Sequence, residues 1–165
     1  MTGKNDEFDN IVNDIINNDK FLKLKEMSHH GLNRYDHSFS VAYYVYKLAK
    51  YLKLDYFQAT RGALMHDFFE SPDGSGLQVC FKSIVNHPEI ALNNAKNEFS
   101  LVTKEEDIIL SHMFPFGTHI PKCAESWLVN GVDKFITVCE VTYVAVYKMN
   151  YASNILKLFL INLLR

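Results

Sequence analysis

Cysteine is scarce in this chain. Cys80, Cys123 and Cys139 are the three in 165 residues, and no two of them form a CxxC pair. That argues against a zinc site built on thiolates and leads to the expectation of reduced thiols in a cytoplasmic protein. An excess of basic charge is also missing. Seventeen Lys and Arg stand against nineteen Asp and Glu, a formal net charge of −2. No global positive field therefore points to a nucleic-acid polymer or an anionic membrane. No apolar run reaches the ~18 residues that a membrane span needs. The stretch ILKLFLINLL is shorter and carries Lys157 and Asn162. The first ten residues, MTGKNDEFDN, are polar and acidic, unlike a signal peptide. There is no internal repeat or low-complexity tract. The remainder, 48% hydrophobic and 22% charged, fits one ordinary globular domain over residues 1–165.

The patterns present are helical almost throughout. Phe8, Ile11, Val12, Ile15 and Ile16 recur at helical spacing before Asn17-Asn18-Asp19 interrupts them. Phe21, Leu22 and Leu24 begin a second short helix that gives way near Ser28-His29-His30-Gly31. Over residues 38–52 the stripe Val41, Tyr44, Val45, Leu48, Leu52 predicts a core face. Asp55 is a plausible N-cap for a helix reaching His66-Asp67. SPDGSG, residues 71–76, is the clearest loop. Pro88 after His87 predicts a helix start, and Thr103 with Glu106 spells a capping box for a helix ending near His112. A further helix is expected from Glu125 toward Met149, and a final one over residues 154–165, packed on the core or at an interface. FITVCEVTYVAVY is rich in β-branched residues, but no partner strands are in sight, so it reads as a buried helix. The fold class predicted is all-α.

Polar residues interrupt this pattern at telling places. ALMHDFFE puts His66 and Asp67 among residues that should be buried, and an unpaired buried carboxylate costs several kcal/mol. The short Lys53-Leu54-Asp55 connection forces two helices antiparallel, so the start of one, with His37, lies beside the end of the next, with His66-Asp67. Asp133 would complete the set from a later helix. Two imidazoles and two carboxylates make a mixed N/O site suited to Mn, Fe, Ni, Co, Mg or Zn, with positions left open for water and substrate. A buried His66-Asp67 pair with unrelated His37 and Asp133 is the plainer alternative.

The ordered set His37, His66, Asp67, Asp133 resembles the H…HD…D pattern of the HD-domain superfamily of metal-dependent phosphohydrolases. The likeness runs from about residue 28 to 140 and includes the segments HDFF, NHPEIAL and HMFP. It implies a compact helical fold, a divalent metal, and hydrolysis of a small phosphate ester, a nucleotide or related metabolite, by a metal-activated water. In relatives with two metals, extra histidines between the HD pair and the last aspartate bind the second ion while the HD aspartate bridges. His87 and His112 match such positions, and His119 is a weaker third. One or two ions per chain are therefore expected.

Arg34, three residues before His37, is the first candidate for a phosphate contact, and Lys134 the second. Glu70 completes the HDxxE spelling that some HD nucleotidases use for proton transfer, and it could equally be a solvated helix end. A signalling module that binds a metal or nucleotide with little turnover is the alternative function. A homo-oligomer is left open.

Overall fold

The computed structural model describes residues 6–29, 32–70 and 77–163, with side chains over 6–27, 33–70 and 86–151. The fold is all-α, apart from a ladder in which β1 (Ser28–His29) pairs antiparallel with β2 (Leu32–Asn33). The helices are α1 (Asp6–Ile16), α2 (Asp19–Leu22), α3 (Arg34–Tyr51), α4 (Tyr56–Met65), α5 (Leu77–Glu98), α6 (Thr103–Ser111) and α7 (Ala124–Leu163). No helix among the described residues is long and apolar enough to cross a membrane.

α1 buries Phe8, Ile11, Val12 and Ile15, the face its spacing predicts. Asn18 caps α2 by accepting from the N–H groups of Lys20 and Phe21 at 2.9 and 3.0 Å. α3 and α4 pack antiparallel at the centre, flanked by α1, α6 and α7. Their connection turns on Lys53, whose φ of 57° is left-handed. Leu54 N–H then reaches back to Ala49 O at 2.9 Å and closes α3. Asp55 caps α4 through the N–H of Gln58, as its position suggests. At Gly62 a Cβ would come within 2.9 Å of Ile108, so glycine is what lets α4 approach α6 so closely.

Five sequence expectations are corrected by the fold. The buried face of α3 is Val41, Ala42, Val45, Tyr46 and Ala49, while Tyr44, Leu48 and Leu52 are exposed. Ala42 and Ala49 are fully buried, and the Tyr46 hydroxyl donates to Glu7 at 2.5 Å, so size and a polar tip outrank hydrophobicity there. Pro88 lies inside α5 instead of opening it; the helix begins at Leu77 and forgoes one hydrogen bond at the proline. α6 begins at Thr103, but it is Glu105, and not Glu106, that accepts from the Val102 N–H, at 3.0 Å. Glu106 pairs with Lys96 instead. Finally, α7 is one 40-residue helix where two were expected, since residues 150–154 contain neither proline nor glycine to stop it. FITVCEVTYVAVY is helical but largely exposed. The SPDGSG loop and His30 lie outside the described residues, as do the side chains of His29 and Cys80. Cys123 and Cys139 are free thiols.

Candidate metal centre

The antiparallel α3 and α4 bring His37, in the first turns of α3, to His66, the C-cap of α4, with ring centroids 5.5 Å apart. α7 runs along both. Its Glu125 accepts from Asp55 N–H at one end of α3, and its Asp133 and Glu140 meet His37 at the other. The six side chains His37, His66, Asp67, His87, His112 and Asp133 are all buried.

Ring orientation follows from what each Nδ1 touches. His66 Nδ1 lies 2.6 Å from Ala63 O, and His112 Nδ1 2.7 Å from Ile109 O. A carbonyl only accepts, so each Nδ1 carries the proton and a neutral ring offers its lone pair at Nε2. Both histidines cap helix C-termini, α4 and α6, whose partial negative charge favours a nearby cation. Among the described residues the fully buried His66 Nε2 has no hydrogen-bond partner, and it faces Asp133 Oδ1 at 3.5 Å and Asp67 Oδ2 at 3.9 Å. A buried nitrogen left in this way, facing two carboxylates, fits a cation between them.

His37 sits between two carboxylates, with Nδ1 2.9 Å from Glu140 Oε2 and Nε2 3.1 Å from Asp133 Oδ1. Burial alone would lower its pKa, but its hydrogen bonds to Asp133 and Glu140 outweigh that and raise it to about 10. His66 is likewise raised by Asp67 and Asp133 against its burial. Asp133 is held well below the usual carboxylate range by His37 and His66, although burial opposes this. His112 goes the other way, down to about 3, through burial and the neighbouring His66 and His87.

Asp67 links two ligand sets. Its Oδ2 faces His66, while its Oδ1 lies 3.4 Å from His87 Nε2 and 3.7 Å from His112 Nε2. The two imidazoles approach each other at 2.9 Å, and His87 stacks on Phe69. Among the described residues, the donor atoms of His37, His66 and Asp133 lie within 4.8 Å of one another, and so do those of His66, Asp67 and His112. Either group could hold a metal ion.

The other candidates fall elsewhere. Arg34 is 4% exposed; it donates to Phe69 O at 2.7 Å, lies over the Phe69 ring, and turns Nε toward Asp67 Oδ2 at 3.9 Å. Lys134 is half-buried and donates to His112 O at 2.9 Å. Glu70, three residues past Asp67, is exposed. His119, half-buried beside Thr118, joins neither group.

Sequence reasoning passed over three residues that hold these side chains and the chain around them in place. Glu140 accepts a hydrogen bond from His37 Nδ1–H. Asn130 donates to the carbonyls of His112 and Phe114, both at 2.7 Å, and so fixes the end of α6. Asn94 does the same for Phe68 O at 3.0 Å. Only Glu140 left a signal: it follows Asp133 by seven residues, two helical turns, and is the one acid in α7 beyond it.

The family model described as HD domain matches residues 34–137, more than half of the chain. No curated protein and no solved structure matches it. The match begins on Arg34 and ends just after Asp133, enclosing every buried histidine and aspartate described above. The chain belongs to the HD-domain family, a superfamily generally of metal-dependent hydrolases.

Proposed function

We propose that the protein hydrolyses a small phosphate ester, a nucleotide or related metabolite, at a centre holding one or two divalent ions. The ligands in this reading are His37, His66, Asp67 and Asp133, with Asp67, His87 and His112 for the second ion. The observation that carries it is the position of Asp67, whose two oxygens face separate histidine groups. A divalent cation there would supply an acidified water and neutralise charge on a phosphoryl group. The chain's own part is to hold the geometry. Ala63 O and Ile109 O lock two imidazoles, Glu140 orients His37, and Asn94 and Arg34 fasten the carbonyls that follow the HD pair. The Arg34 charge beside Asp67 offsets negative charge gathering on a bound phosphate. Glu70 is the proton-transfer candidate from the solvent side.

The test is turnover. Protein loaded with Mn²⁺, Fe²⁺ or Co²⁺ is screened against phosphomonoesters, cyclic nucleotides and dinucleoside polyphosphates. Activity that Asp67→Ala abolishes supports the reading, and no turnover with any metal and substrate overturns it. A second reading, a binding module with little chemistry, is favoured by one observation. Arg34 and Lys134, the two cations considered for phosphate contact, already donate to main-chain carbonyls. A nucleotide that raises the melting temperature without being consumed would select this second reading.

A further inference from the structure

Phe69 is buried and follows Asp67 by two residues. Its N–H reaches back to Asp67 O at 2.8 Å, a three-residue turn just past the end of α4 at Met65. The Phe69 ring meets two groups that flank the Asp67 carboxylate. The guanidinium carbon of Arg34 lies 3.9 Å from the ring centroid, and Arg34 Nε lies 3.9 Å from Asp67 Oδ2. The His87 imidazole stacks on the same ring, with centroids 4.7 Å apart and planes 21° from parallel. Its Nε2 is 3.4 Å from Asp67 Oδ1. One phenyl ring therefore touches a guanidinium and an imidazole that face different oxygens of a single carboxylate.

Arg34 grips Phe69 twice, since it also donates to Phe69 O at 2.7 Å. A cation on the ring and a charged donor on the carbonyl hold the residue at both ends. The orientation of His87 then follows from its neighbour. His66 and His112 are set at Nδ1 by carbonyls, and His37 by Glu140. Such a hydrogen bond aims one nitrogen, whereas a stacked face fixes the plane of the whole ring.

We propose, on the reading that Asp67, His87 and His112 hold a second divalent ion, that Phe69 is the positioning residue of that ion. Only a contact that differs between the metal-free and loaded states can change affinity. This one does. A phenyl face carries negative potential, and an imidazole that gives its lone pair to a cation becomes electron-poor. The stack is stronger with the ion bound than without it, and the difference adds to metal affinity. Leucine would fill much of the same space without such a face. Phe68 supplies the contrast, because it is also buried but packs its ring on Phe21 and Phe99, at centroid distances of 5.5 and 6.2 Å.

Calorimetric titration of the metal-free 165-residue chain with Mn²⁺ should show two bound ions, one of which His87→Ala loses. Phe69→Leu should weaken that same ion by about tenfold, the low end of what a lost outer partner costs, and leave the other near its wild-type affinity. Phe68→Leu, the same change one residue earlier, should lower the melting temperature and leave both affinities near wild type. Phe69→Met keeps most of the volume without a ring, and it decides the matter if the leucine variant fails to fold. Wild-type affinity for both ions in the Phe69 variant overturns the proposal, as does an equal loss of both. So does a second ion that Phe68→Leu weakens as much, or one that His87→Ala leaves in place. A wild-type chain with a single ion overturns it too, while hydrolysis at a one-metal centre still stands; a chain that binds no ion takes both down.

Discussion

His66 and His112 each use Nδ1 on the carbonyl three residues back, which leaves Nε2 of both turned to Asp67. His37 differs: its Nδ1–H donates to a carboxylate, Glu140. A carboxylate behind a ligating imidazole fixes the ring and raises its basicity, and loss of such a partner typically costs 10–100-fold in metal affinity. Glu140→Gln should therefore weaken metal binding by about that range, read by competition with a chromophoric chelator. The pH dependence follows from the same ring. With His37 raised to about 10, the metal-free site holds an imidazolium at pH 7, and a cation must displace that proton. Affinity should rise with pH, about tenfold per unit for this one proton, and calorimetry in buffers of different ionisation enthalpy should show proton release on binding. Affinity that is flat between pH 6 and 8 would contradict it.

At the scale of elements, the turn between α3 and α4 sets the site, because it places His37 beside His66. Lys53 occupies its left-handed position, where a side chain is strained and glycine is not. Lys53→Gly should raise stability by about 0.5–1 kcal/mol, measured as a higher urea midpoint with an unchanged slope. Much of this arrangement was legible in the residues. The α1 face, the Asp55 cap and the short connection that brings His37 beside His66 are all local or periodic signals. What escaped was set by neighbours distant in sequence. The face of α3 could not be read without knowing which neighbours bury Ala42, Tyr46 and Ala49 and leave Tyr44 and Leu48 exposed. Glu105 was passed over for Glu106 because the true N-cap is Val102, a residue whose side chain cannot cap. Asn130 and Asn94 act on carbonyls of other elements, and an asparagine's partner leaves no trace in its own sequence neighbourhood.

For the molecule as a whole, buried polar links tie the helices around the site. Arg61 of α4 joins α1 and α6 through Asp14 at 2.6 Å and Glu105 at 3.1 Å. Glu125 plays the matching part for α7, since it accepts from Asp55 N–H at the head of α4 and from Lys104 of α6, both at 3.0 Å. Burial would raise the Glu125 pKa, but Lys104 and backbone N–H groups prevail and lower it to about 2, against 4.5 for an ordinary glutamate. A carboxylate depressed by folding contributes stability that is complete above pH 4.5 and lost as pH falls through about 2. Glu125→Gln keeps the shape and removes the charge, so at pH 7 it should cost about 2 kcal/mol, the worth of hydrogen bonds to a charged group. That difference should shrink below pH 4.5 and vanish near pH 2, where the wild-type side chain is itself protonated. Urea unfolding of both proteins at pH 7, 4 and 2.5 reads it directly, and a gap that stays constant across the three would show that α7 is held to α4 and α6 by packing rather than by this charge.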